Sequence, residues 1–151
     1  MIAVIQRAKD AAVKIDGNIT GSITHGLVIL LGVCKNDSKE DADFLVYKIT
    51  SMRIFSDENS KMNLSVKDTG GKALVISQFT LCGDWRKGRR PSFVNAAPPD
   101  EGERLYNYFM QKIKLNGVDV ESGVFGAMMD VSLINAGPVT FVLDSRSRNK
   151  R

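Results

Sequence analysis

Histidine is almost missing from this chain: His25 is the only one in 151 residues, and cysteine occurs just twice, as Cys34 and Cys82. Two cysteines without C-x-x-C spacing make no disulfide framework. With a single histidine beside them they leave too few of the usual ligands for a zinc site, and no metal site is expected. A Ser-His catalytic pair is excluded unless His25 serves, and that residue, between Thr24 and Gly26, reads as a turn or surface residue. No apolar run approaches the roughly 20 residues of a membrane span. The start, Met1-Ile2-Ala3-Val4-Ile5-Gln6-Arg7, lacks the basic-then-apolar order of a signal peptide. A soluble cytoplasmic protein is the expectation. Internal repeats, linkers and low-complexity segments are also absent. With 43% hydrophobic and 25% charged residues, positions 1–151 are expected to form a single domain.

What is present in excess is positive charge, a formal +4 that is informative mainly through its placement. Arg86, Lys87, Arg89 and Arg90 crowd beside Trp85, and Arg146, Arg148, Lys150 and Arg151 crowd the C-terminus. Clustered cations with an adjacent aromatic neutralise phosphates and stack on a base, the usual way of holding single-stranded ends. The plainer reading is a solvated basic loop and a frayed tail.

Periodicity gives a coarse map. Residues 2–15 alternate as a strand, and Asp16-Gly17-Asn18 reads as a hairpin turn returning through Ser22-Ile23. Leu27 to Val33 is apolar on both faces and predicts a covered central strand. Asp37 or Ser38, with Glu40 or Asp41 three residues on, predicts a helix start, and Ala42, Leu45, Val46, Ile49 and Met52 mark its buried face. Arg53-Ile54-Phe55 and Met62-Asn63-Leu64 read as short strands about a polar turn. Gly83 to Pro99, with three prolines and two basic pairs, is a long loop of the kind that often carries function. Pro98-Pro99-Asp100 opens a second helix, with Leu105, Tyr106, Phe109 and Ile113 inward, and Asn116-Gly117 ends it. Val118 to Val124, Met128 to Ile134 and Val139 to Leu143 read as three more strands. The fold class is α+β, an antiparallel or mixed sheet curled into a barrel-like shape with two main helices.

Two stretches depart from this ordinary pattern. After the turn Asp68-Thr69-Gly70-Gly71, Lys72 to Ile76 reads as a central strand, and Ser77-Gln78-Phe79-Thr80-Leu81 as its functional end. Ser, Gln and Thr within four residues each need a partner or a ligand where a strand is buried. Without a ligand they would bond neighbouring backbone. The second stretch, Ile134 to Phe141, sets Gly137-Pro138 between two apolar runs. An X-Pro bond prefers trans by only about 0.5–1 kcal/mol, so a tight site can hold it cis. Locally it also reads as a turn between strands.

Together Ser-Gln-Phe-Thr-Leu at 77–81 and Asn-Ala-Gly-Pro-Val-Thr at 135–140 resemble the two signature motifs of the D-aminoacyl-tRNA deacylase family. The likeness runs nearly end to end, through Met1 to Arg7, Gly32-Val33, Met52-Arg53-Ile54-Phe55 and Lys87-Gly88-Arg89-Arg90-Pro91-Ser92-Phe93. It implies a homodimer that hydrolyses the ester joining a D-amino acid to the tRNA 3′ end, without a cofactor. Ser77, Gln78, Phe79 and Thr80 would form the catalytic segment. Backbone N–H groups around Phe79 and Thr80 would meet the oxyanion, and water would attack with help from the ribose 2′-hydroxyl. Thr80 lies in the site without being assigned as nucleophile, because its motif contains no base. Gly137-Pro138, cis and inserted from the opposite subunit, would reject L side chains and let glycyl-tRNA partly through. Arg7, Met129, Asn135, Ala136 and Thr140 would line the substrate pocket, and Arg86, Lys87, Arg89 and Arg90 would hold RNA. Two other classes stand beside this one, a non-catalytic RNA-binding module and a small-molecule esterase using Ser77 or Thr80.

Overall fold

A computed structural model describes residues 1–149. Strand β1 (Ile2–Ile15) turns into β2 (Asn18–Gly32) through Asp16 and Gly17, whose φ angles of 49° and 78° are those of a two-residue primed turn. The hairpin predicted at Asp16-Gly17-Asn18 is therefore present, and the run from Leu27 is the second half of the same long strand. Helix α1 (Lys39–Ser51) follows, capped by Ser38, whose N–H donates to Asp41 Oδ2 at 2.9 Å. Strands β3 (Phe55–Ser56) and β4 (Met62–Leu64) pair about a turn in which Asp57 Oδ1 accepts from the N–H groups of Asn59 and Lys61. Next come β5 (Lys72–Ser77), a 3-10 turn (Phe79–Cys82) and α2 (Pro99–Leu115). Proline at its first position, Asp100 and Glu101 in its first turn, and Lys112 and Lys114 in its last suit the dipole of α2. The chain finishes with β6 (Val120–Ser122), β7 (Asp130–Asp144) and a second 3-10 turn (Ser145–Asn149).

Five strands form one mixed sheet in the order β6-β5-β2-β1-β7, with β2-β5 and β5-β6 parallel and the other pairs antiparallel. The α+β class with two main helices stands. The edges β6 and β7 do not pair with each other, so the sheet stays open. Both helices cover one face, where Leu45, Val46, Ile49, Leu105, Phe109 and Ile113 join Ile5, Ile29, Leu31 and Val75 in the main core. Phe109 is fully buried there, and its truncation to alanine costs about 3–5 kcal/mol. On the other face Val28, Leu74 and Ile76 belong to one cluster with Met129 and Leu133. Met129, just before β7, lies against Gly123, just after β6, so the sheet curls until its two edges approach.

Three sequence expectations change. The two strands expected at Met128–Ile134 and Val139–Leu143 are one strand, β7, with Gly137-Pro138 inside it. Proline is tolerated there because β7 is an edge strand that departs locally from its ladder. The strand expected from Val118 to Val124 shortens to Val120–Ser122. Finally, Ser77 to Leu81 is no strand end: β5 stops at Ser77, and the chain coils into the 3-10 turn. Among the described residues no helix is long and apolar enough to cross a membrane.

Candidate active site

The Ser77–Leu81 segment is shaped by where β5 leaves the sheet. The Gln78 N–H donates to Leu31 O at 2.8 Å, the last bond to β2, and the backbone then tightens. Leu81 N–H reaches Gln78 O at 3.2 Å and Gly83 N–H reaches Thr80 O at 3.0 Å. The first N–H groups of such a turn have no partner inside it. Those of Phe79 and Thr80 find no acceptor among the described residues, and both residues are exposed. Two adjacent N–H donors are thus left unpaired on an exposed turn. The Gln78 side chain donates to Thr80 Oγ1, so two of the polar groups that demanded partners satisfy each other. Phe79, 55% exposed, is held edge-on to Phe93 with ring centroids 5.0 Å apart.

Among the described residues no acid or histidine hydrogen-bonds to Ser77, Gln78 or Thr80. Asp84 is the nearest acid in sequence, but the Arg86 guanidinium grips both its oxygens at 2.8 and 2.9 Å. That side-chain pairing, helped by the Arg86 N–H, pulls its pKa down to about 2. Such a carboxylate accepts a proton poorly near neutrality.

The Gly137-Pro138 segment is a local departure from the β1-β7 ladder. Gln6 pairs with Thr140 and Ala8 with Asn135, so residues 136–139 stand opposite Arg7 alone. The Gly137-Pro138 bond is cis, and Gly137 has φ +142°, a region that disfavours any side chain. A Cβ there would also lie 2.7 Å from Arg7 Nη2. Three hydrogen bonds hold the excursion. Asn135 Oδ1 accepts from Val139 N–H at 2.7 Å, Asn135 Nδ2 donates to Thr140 Oγ1 at 2.7 Å, and Arg7 Nε donates to Ala136 O at 2.7 Å. Arg7 Nη1 also donates to Ile54 O at 2.9 Å, tying the segment to the start of the β3-β4 hairpin. Gly137 and Pro138 are exposed.

The structure thus brings Arg7, Asn135, Ala136, Gly137 and Thr140 together. It separates them from Ser77–Thr80. Ser77 pairs with Leu31 and so is level with Ala3, whereas Gly137 is level with Arg7. Three strand spacings of about 4.8 Å and four residues of about 3.3 Å put the two motifs roughly 20 Å apart along the sheet. Met129 is placed elsewhere again, in the second apolar cluster and against Gly123.

A cavity of about 330 Å³ lies beside Gly137, and Arg7, His25, Phe55 and Thr69 are among its walls. His25 is exposed on β2, with its ring edge-on to Phe55, so it is a surface residue and not a turn residue. Sequence reading did not place His25 or Phe55 near the Gly-Pro motif, because only the β1-β2 register and the Arg7-Ile54 bond bring them there. A larger cavity, about 580 Å³, opens beside the end of the 3-10 turn between Cys34, Lys35, Cys82, Trp85 and Arg146.

The basic loop is pinned at its base, where Asp84 and Ser92 exchange backbone bonds of 2.7 and 2.8 Å. Trp85 is 79% exposed, and Lys87, Arg89 and Arg90 are exposed without an ion pair among the described residues. Arg86 differs, since Asp84 already claims it. Of the C-terminal cations, Arg146 pairs with Asp144 and Arg148 lies 3.6 Å from Asp41, while Lys150 and Arg151 lie outside the described residues.

Comparison with known proteins places the chain in a family. Residues 4–144 match the family model described as D-Tyr-tRNA(Tyr) deacylase. A D-aminoacyl-tRNA deacylase of Bacillus cytotoxicus is 54% identical over 146 residues, covering 97% of this chain and all of that protein. One from Desulfatibacillum aliphaticivorans matches to the same extent. Among solved structures, one titled c-Myc DNA Unwinding Element Binding Protein superposes with a TM-score of 0.89 at 36% identity, covering 95% of this chain and 98% of its own. A probable eukaryotic D-amino acid tRNA deacylase shares the fold, with a TM-score of 0.78 at 18% identity over 94% of this chain and 97% of its own.

Proposed function

The chain belongs to the D-Tyr-tRNA(Tyr) deacylase family and is an ester hydrolase, and from that premise we propose how it deacylates D-aminoacyl-tRNA and spares the L form. The substrate is the ester between a D-amino acid carboxyl and a ribose hydroxyl at the tRNA 3′ end. The observation that carries the reading is the pair of unpaired N–H groups at Phe79 and Thr80, on an exposed turn where no acid or histidine hydrogen-bonds to Ser77, Gln78 or Thr80 among the described residues. Hydrolysis passes through a tetrahedral oxyanion, and two preoriented backbone donors meet that charge without reorganising. Losing one such donor typically costs about 2.7–4 kcal/mol of transition-state stabilisation. Water attacks with help from the ribose 2′-hydroxyl, which takes a proton from the water as it passes its own to the departing 3′-oxygen. Thr80 Oγ1, already engaged by Gln78, positions the turn.

Chirality is read by a second copy of the chain. Gly137-Pro138 is exposed and roughly 20 Å along the sheet from its own Phe79, so the segment serves the partner's site in a homodimer. A rigid wall close to the α-carbon rejects an L side chain by steric conflict and leaves the D side chain pointing outward. Glycine, which has no side chain to reject, partly escapes, and glycyl-tRNA is a secondary substrate. Lys87, Arg89 and Arg90 hold phosphates of the acceptor end with Trp85 offering a stacking face, in a cytoplasmic enzyme.

The test is single-turnover hydrolysis of D-Tyr-tRNA, L-Tyr-tRNA and Gly-tRNA by the purified chain. D-Tyr-tRNA is cleaved, L-Tyr-tRNA is spared and Gly-tRNA falls between them. Thr80→Ala keeps substantial activity. A loss beyond about 10⁴-fold, the scale of true nucleophiles, would replace the backbone mechanism with a covalent one. Binding of the tRNA without turnover would leave only an RNA-binding module.

A further inference from the structure

Cys34 and Cys82 are 48 residues apart in sequence, yet their Sγ atoms lie 2.7 Å from each other. Cys34 follows the end of β2, where its N–H donates to Asp37 Oδ2 at 2.6 Å. Cys82 is the last residue of the 3-10 turn and is buried. Both are free thiols, and both line the cavity of about 580 Å³, through which a small solute reaches Cys34. A disulfide requires an S–S separation near 2.05 Å, so about 0.7 Å of approach completes the bond.

We propose that Cys34 and Cys82 are a peroxide-oxidisable thiol pair that closes a reversible disulfide between the end of β2 and the 3-10 turn bearing Phe79 and Thr80. Cys34 is the attacking thiol. It is the more accessible of the two, and its pKa is held below the usual thiol value. The thiol of Cys82 donating to it is the largest cause; burial opposes, and the N-terminal ammonium and Arg146 add to the lowering. The buried Cys82 thiol is pushed up, first by that same hydrogen bond and then by burial, and stays protonated. This division of labour is that of a sensor thiol with a resolving neighbour. In the first step the Cys34 thiolate attacks one oxygen of hydrogen peroxide. The O–O bond breaks, the departing hydroxide takes a proton to become water, and Cys34 is left as a sulfenic acid. In the second, the Cys82 sulfur attacks the sulfenic sulfur, the S–O bond breaks, and the hydroxyl leaves as water with the Cys82 proton. Two electrons pass from the two thiols to the peroxide. The proposal does not depend on the turn being catalytic.

The experiment exposes the reduced full-length chain to hydrogen peroxide, alkylates it and identifies its peptides by mass spectrometry. Both thiols are expected to disappear together with the loss of two hydrogens. A linked Cys34-Cys82 peptide should form that dithiothreitol reverses, and melting should rise by several degrees because the bond closes a long loop. Cys82→Ser should stop at a Cys34 sulfenic acid trapped by dimedone, and Cys34→Ser should leave Cys82 reduced. The proposal is overturned if the unmutated chain yields sulfinic or sulfonic Cys34 beside a free Cys82. Disulfides formed only between chains, or two thiols that stay unreacted, would also overturn it.

Discussion

Arg7 and Tyr106 show how single side chains tie distant parts of the chain together. The Arg7 guanidinium reaches Ala136 O and Ile54 O, 129 and 47 residues away in sequence, and charge-assisted bonds of this kind contribute about 1.5–3 kcal/mol each. Arg7→Ala is expected to cost about 2–4 kcal/mol and to narrow the D-over-L ratio at least tenfold, because residues 136–139 lose their brace. Arg7→Lys restores little, since an ammonium cannot span both carbonyls. Unchanged melting and selectivity would show that Asn135 alone suffices. Tyr106, 3% exposed, donates to Val75 O at 2.9 Å, and burial pushes its pKa up to about 12, offset in part by Ser122. The unfolded chain ionises this group near 10, so its stabilising effect is complete below about pH 10 and is lost as pH rises through about 12. Two units correspond to about 3 kcal/mol. In an absorbance titration one of the three tyrosines should ionise late, and Tyr106→Phe should remove that step. Ionisation of Tyr106 near pH 10 would contradict the burial argument.

Among the elements, the loop from Gly83 to Pro99 is the one whose role follows from charge. It is fastened at Asp84 and Ser92, with Gly88 at φ +71° relieving its tip, so Lys87, Arg89 and Arg90 project from a defined base. Each phosphate contact to a single strand contributes about 0.7 to the slope of log affinity against log salt. Arg89→Ala combined with Arg90→Ala is therefore expected to weaken tRNA binding and to flatten that slope by about 1.4. Equal affinity across a salt series would make the loop a solvated surface. The helices behaved as their spacing predicted, since Ser38 with Asp41 caps α1 and Asn116-Gly117 ends α2. Local signals sufficed there because a helix closes its own hydrogen bonds.

At the scale of the molecule, the exposed edge of the sheet is β7. Between Asp130 and Asp144 it carries no charge, and Val142 and Ile134 are 72% and 56% exposed. A long apolar edge without protective charges associates with another chain. Sedimentation is expected to give a dimer. Ile134→Lys combined with Val142→Lys should convert it to a folded monomer whose D-over-L ratio narrows at least tenfold, since the Gly-Pro wall would no longer reach a partner's site. A wild-type monomer with full selectivity would refute the shared site.

The chain by itself determined whatever is encoded within a few residues. The Asp16-Gly17 turn, both helices with their caps, the apolar stripes of the main core and the two short motifs at 77–81 and 135–140 were all legible, because turn chemistry and periodicity are local. Tertiary structure alone decided that Ser77 to Leu81 is no strand. The limit of β5 pairing with β2, at Ser77, frees the following residues to coil and leaves two N–H groups unpaired. It likewise decided that Gly137-Pro138 is an excursion within one strand, because the register on β1 allots a single residue, Arg7, to four on β7. The meeting of Cys34 with Cys82, and the cavity that His25 and Gly137 share, rest on the same cause. Contacts between residues dozens of positions apart are set by strand order and register, and no window of sequence contains those.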